Sequence, residues 1–128
     1  MPGIDECLLE AMLVPGARGA ALVDWVSGLA LGAVGDAPDG AHQDTAVRTA
    51  ELARVATEYI ALGTTGGDGD GGLEDLILTT PGAYHLLRPV EAGFDSSVLL
   101  HLWLDRDQGN LALARLRMRD LTGRLVLR

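Results

Sequence analysis

The chain has 128 residues, 48% of them apolar and 22% charged, with a formal net charge of −8 and a single cysteine. That length fits one domain, residues 1–128, able to bury a core without metal or disulfides, and one cysteine excludes an intramolecular bridge. All ten basic residues are arginine: four stand against sixteen acids in residues 1–105 and six against two acids in residues 106–128, a basic segment on an acidic body that excludes the chain-wide basic surface of a nucleic-acid binder.

Asp5, Glu6 and Glu10 stand where a secretory signal would be apolar, and no apolar run approaches the roughly 18 residues of a membrane span. The expectation is a cytoplasmic protein with no membrane insertion. Ile4, Cys7, Leu8 and Ala11 recur at helical spacing, which predicts a first helix over 3–13 stopped by Pro15-Gly16. Cys7 lies on its apolar stripe, the place of a buried, inert thiol. Two apolar runs, 18–24 and 29–35, read as a hairpin. Asp24 and Ser27 are expected to bond back to the turn backbone, and Gly28 to take positive φ. Residues 36–40 are a loop, with the cap of the next helix expected at or near Asp39 or Asp44.

A long second helix is predicted to run to about Leu62 and stop at Gly63. It has two stripes: a bulky one of Leu52, Val55, Tyr59 and Leu62, and a small one of Ala46, Ala50, Ala53 and Thr57. A small row lets a second surface approach closely, which makes the alanines candidates for contact with a symmetry mate. The alternative is that alanine is the best helix former and abundant here.

Residues 64–72 form a Gly- and Asp-rich loop, followed by three strand-like runs at 74–80, 83–91 and 96–105 joined by Pro81-Gly82 and by residues 92–95. Both faces of the last run are largely apolar, which places it at the centre of a sheet. A final helix is predicted from about Asp107. Leu111, Ala114, Met118, Leu121 and Leu125 line one stripe, with Arg115, Arg117, Arg119 and Arg124 off it. Those arginines are either a solvated face favouring the negative end of the helix dipole or a landing surface for an acidic partner.

Little in the chain suggests chemistry. Counted from Asp68 as a calcium loop, residues 67–75 put Gly72 at position 5 and Thr79 at position 12, which is no EF-hand, and they lack the Gly-Lys-Ser/Thr of a phosphate loop. His85 and His101 fall near a common cross-strand register, but with His42 far off at a helix entry and one cysteine they are short of the three or four ligands zinc needs. Ser96 and Ser97 have no nucleophile elbow around them. The reading is non-enzymatic, with no catalytic residue, metal or cofactor.

The order of elements, with Pro15-Gly16 entering Gly19-Ala20-Ala21-Leu22-Val23-Asp24 and the turn glycine at Gly28-Leu29, resembles the Roadblock family, named from a dynein light chain, over nearly the whole chain. Its acidic, Ala-rich bacterial members are especially similar. The resemblance implies an α/β (α+β) sandwich of topology αββαβββα: a five-stranded antiparallel sheet ordered 2-1-5-4-3, the two terminal helices on one face and the long helix on the other. It also implies a homodimer in which the edge strand carrying Leu76, Ile77 and Leu78 pairs with its mate while the second helices, with Ala46, Ala50 and Ala53, pack near the two-fold axis. The apolar middle of that strand has no Pro or Lys guard.

The function implied is that of a homodimeric regulator or adaptor of a small Ras-like GTPase in a bacterial signalling module, acting on the GTPase's own catalytic loops. Arg48, Glu51, Arg54 and Glu58 on the second helix are the candidate contacts. The loop at 64–72 and the basic last helix depart from the family pattern. Two alternatives stay open: a small-molecule-sensing module of PAS or profilin-like shape, with a ligand between sheet and helix, and a pure scaffold without effect on GTP hydrolysis.

Overall fold

A computed structural model describes residues 3–63, 73–90 and 97–125, the side chains of 61–63 excepted. Among the described residues the chain order is α1 (Ile4–Ala11), β1 (Ala17–Asp24), β2 (Leu29–Gly35), α2 (His42–Gly63), β3 (Leu76–Thr79), β4 (Ala83–Pro89), β5 (Val98–Asp105) and α3 (Leu111–Arg124). The five strands form one antiparallel sheet in the order β2-β1-β5-β4-β3. The expected topology holds, and β5, apolar on both faces, is the central strand.

The β1–β2 turn follows from its side chains. Asp24 Oδ1 accepts from the amides of Val26 at 3.0 Å and Ser27 at 3.4 Å, Ser27 Oγ accepts from Leu29 at 3.3 Å, and Gly28 stands at φ 78°. Gly19, in β1, meets the end of β2 so closely that a Cβ there would lie 1.9 Å from the Asp36 carbonyl oxygen. Main-chain atoms cannot yield cheaply. Gly19→Ala is therefore expected to cost about 2–3 kcal/mol, read as a lower urea midpoint with unchanged slope.

Alternation sends each strand's side chains to two cores. Leu22, Leu86, Leu100, Leu102 and Leu104 face α1 and α3, where they meet Cys7, Leu8, Met118 and Leu121. Ala21, Val23, Leu87 and Leu99 face α2, where they meet Ala46, Ala50 and Ala53. The first core is thick and leucine-rich and the second thin, because small residues stand on both sides of it. Cys7 is fully buried, and burial, helped by Glu10 and opposed by Arg124, pushes its thiol up to about 11. Labelling of Cys7 by a disulfide reagent at pH 8 is expected to run about a hundredfold slower in the folded than in the unfolded protein.

Several boundaries differ from expectation: α1 closes at Ala11, β4 at Pro89 and β5 opens at Val98, and three further differences have a local cause. α3 starts at Leu111, not near Asp107, because residues 106–108 form a turn in which Asp105 Oδ1 accepts from Asp107 N at 2.9 Å, and Asn110 then caps the helix by accepting from Leu113 N at 3.0 Å. β3 is four residues long, shorter than 74–80. α2 begins at His42, so neither expected aspartate stands at its cap. Asp39 precedes the helix and pairs with Arg48, and Asp44 lies in the first turn. Instead, the start of α2 reaches across to β2: Gln43 donates to Gly28 O at 2.7 Å and accepts from Ala30 N at 3.1 Å, while His42 Nε2 lies 2.9 Å from Gly35 O. The loop at 64–72, the turn at 92–95 and Ser96 lie outside the described residues.

Candidate functional site

The sheet is wider than the helix that covers it. α2 packs mainly on β2 and β1, and among the described residues an opening remains between it and the β4–β3 side of that face. The opening is a cavity of about 190 Å³ floored by Leu78, His85, Leu87 and His101, walled by Thr45, Thr49 and Leu52 of α2, with Pro38, Asp39 and Arg48 at its rim. Arg48 Nε bonds Asp39 Oδ2 at 3.2 Å across the rim.

Strand register builds an aromatic row along the floor. His85 sits opposite Trp103 and Leu87 opposite His101, so the two imidazoles are diagonal neighbours on one face. Their rings stack with centroids 5.3 Å apart, and His85 stacks on Trp103 at 6.3 Å. The Arg18 guanidinium lies over the Trp103 ring, 4.1 Å from its centroid. His85 Nδ1 and His101 Nε2 are 3.1 Å apart, so one donates to the other instead of both aiming lone pairs at a common ion. Among the described residues no group of three or more His, Cys, Asp or Glu side chains is placed to hold a metal.

Burial lowers both imidazoles, His85 against a smaller opposing pull from Asp39 and His101 to about 3 with added repulsion from His85 and His42. Both are neutral at pH 7. A histidine whose folded value lies below its unfolded one destabilises the fold as pH falls below about 6.5, because the unfolded chain then binds the extra proton. Between pH 6.5 and about 3 His101 is expected to contribute a loss of up to about 1.4 kcal/mol per pH unit, and His101→Leu to flatten that slope in urea titrations.

Beside the cavity the outer side of α2 carries Val55, 63% exposed, and Tyr59, 78% exposed, continuing the line of Arg48 and Leu52. Leu78, 46% exposed, answers from the sheet edge. Leu52 and Leu78 thus face each other across the cavity, and Val55 and Tyr59 carry the exposed apolar row of α2 beyond it, a seam that the described residues leave uncovered.

No protein-family model and no curated protein matches the sequence. Solved structures do. A Roadblock/LC7 domain from Streptomyces avermitilis superposes with a TM-score of 0.75 over 94% of this chain and 92% of that one, at 18% identity. The chain has the Roadblock/LC7 fold. The gliding protein MglB of Thermus thermophilus superposes with a TM-score of 0.74 over 94% and 83% of the two chains, at 21% identity. MglB of Myxococcus xanthus does so with 0.70 over 93% and 78%, at 19% identity.

Within this Roadblock/LC7 fold the expected contact residues of α2 exchange roles. Ala46, Ala50 and Ala53 are buried at 1–2% exposure against the chain's own sheet, so they have no surface to offer a second copy. That corrects the reading of the small row as an intersubunit contact. Thr57 drops out of the row, being exposed and bonded back to Ala53 O. Of the edge strand, Leu76 and Ile77 are half-buried, packing on opposite faces of the sheet, while Leu78 opens into the seam. Arg48 and Glu51 share a surface groove with Asp44 and Val47, and Glu58 is exposed further along. Arg54 is turned away to the β1–β2 turn, where it donates to Trp25 O at 3.0 Å, and does not join the others. The residues missed as a site are Leu52, Val55 and Tyr59, visible in the sequence as a stripe, and Arg18 and Trp103, which extend into a row the His85–His101 pair that the sequence placed near a common register. Leu62, the fourth member of that stripe, has its side chain outside the described residues.

Proposed function

We propose that the protein is a homodimeric, non-enzymatic regulator or adaptor of a small Ras-like GTPase, working in the bacterial cytoplasm. The observation that carries the reading is the open apolar seam between α2 and β3, set in a Roadblock/LC7 fold. The β3 strands of two copies would pair across a two-fold axis and continue the sheet, while Leu52, Val55 and Tyr59 of each copy would pack against the other's α2. Pairing would cover the cavity and set two α2 helices side by side as one platform. Arg48, Glu51 and Glu58 border that platform and are the contacts proposed for the GTPase, with Arg54 a secondary one.

The part played in hydrolysis would be positional: the platform would hold the GTPase's own catalytic loops without inserting a group among the phosphates. Among the described residues no helix is long and apolar enough to cross a membrane, in keeping with a partner met in solution. A cavity of about 190 Å³ is small beside the roughly 300–1,000 Å³ of ligand sites, which disfavours the small-molecule sensor. The test is co-purification with the small GTPase encoded nearest this gene, followed by single-turnover hydrolysis with and without this protein. A changed hydrolysis rate supports regulation, unchanged hydrolysis with binding supports the scaffold, and no binding in either nucleotide state overturns the reading.

A further inference from the structure

The face of the sheet opposite the seam is covered by α1 and α3, packed side by side and joined by Arg124 Nη2 to Glu10 Oε2 at 2.8 Å. Their outer surfaces carry opposite charge. α1 turns Asp5, Glu6 and Glu10 outward, and α3 turns out four arginines against Asp120 alone. Arg115 is engaged by Asp75 and Arg124 by Glu10 and Asp120, whereas Arg117, Arg119, Asp5 and Glu6 make no ion pair among the described residues. The same surface exposes three leucines that the subunit does not cover: Leu9, Leu13 and Leu116. The fold thus sets an acidic helix beside a basic one, with uncovered apolar side chains on both.

We infer that the α1–α3 face is a self-association surface whose occupant is a second copy of this chain. A two-fold axis lying in the contact plane along the α1–α3 seam carries α1 of each copy onto α3 of the other. Asp5 and Glu6 then face the other copy's basic helix while the leucines are enclosed between the layers. Charge complementarity argues for this occupant over an unrelated acidic protein, because both halves of the match, Asp5 and Glu6 on α1 and Arg117 and Arg119 on α3, are present and exposed on one surface. Nucleic acid is disfavoured, since α1 would set three carboxylates against its phosphates.

This contact is separate from the α2–β3 seam, so its failure is distinguishable from failure of the dimer proposed above. The experiment is light scattering of the full chain at fixed micromolar concentration across a salt series. The mass at about 25 mM NaCl is expected to be at least twice that at about 0.5 M, because screening weakens charge pairing between copies. Arg117→Glu with Arg119→Glu is expected to hold the mass at its high-salt value under all conditions, with the circular dichroism of the parent. Both side chains are exposed, so the fold does not depend on them. Mixing that variant with Glu6→Arg is expected to restore association that neither partner shows alone. A mass independent of salt, or a double variant that associates like the parent, overturns the inference.

Discussion

Tyr59→Asp is expected to halve the solution mass of the particle read at high salt, raising the dissociation constant of the pair at least about thirtyfold. Tyr59 is 78% exposed in the isolated subunit and takes no part in either core, so the change should leave the far-ultraviolet spectrum and the urea midpoint of the separated chain as they were. What it alters is the seam, where a carboxylate would have to be desolvated against Leu52 and Val55 of the second copy. Leu78→Lys should act in the same direction by placing a charge on the bare edge of β3. If both variants retain the mass of the parent, the copies do not meet along α2 and β3.

Asp75→Ala should be the most destabilising single change at a charged position, at about 3 kcal/mol in urea denaturation. One carboxylate oxygen, Asp75 Oδ2, lies 3.6 Å from Arg88 Nη1 and 3.1 Å from Arg115 Nη2 and also accepts from Arg115 Nε, so it ties the approach to β3 to both β4 and α3. Arg115 is half exposed and can turn to water. Arg88 is nearly buried, and removing its partner leaves a charge with no other ion pair among the described residues. Replacing both members, Asp75→Leu with Arg88→Met, should recover most of the loss. The effect belongs to the buried charge and not to any one side chain.

The strands were legible because alternation and turn chemistry agree at each step: Asp24, Ser27 and Gly28 act in the structure as their residue types require, and two apolar faces put β5 at the centre, whereas the full order of the sheet came from the family resemblance. The start of α3 was not legible, since Asp105, Asp107 and Asn110 can each accept from a nearby amide, and which of them caps a helix depends on the path of the chain out of β5. The two stripes of α2 were plain in the sequence but not which one faced the sheet. That choice is made by the other layer: Ala21 and Ala30 leave a thin floor on which only a row such as Ala46, Ala50 and Ala53 lets the helix settle, and the bulky stripe is left outside. Small residues on a helix mark close approach without saying to what. The histidine pair needed the register, since only the pairing of His85 with Trp103 puts His101 on the diagonal.

The grip of Gln43 and His42 on the Gly28 and Gly35 carbonyls, one just before β2 and one at its end, has a bearing on how far such a protein can grow. With those positions occupied from within the chain, a newcomer would find both ends of β2 already engaged, whereas β3 is the other margin of the sheet. A ribbon that extended at the β3 rim alone would be complete after a single partner. Two polar side chains at the entrance of one helix would thus work against open-ended stacking, and removing them together, His42→Ala with Gln43→Ala, is expected to raise the turbidity of a concentrated solution.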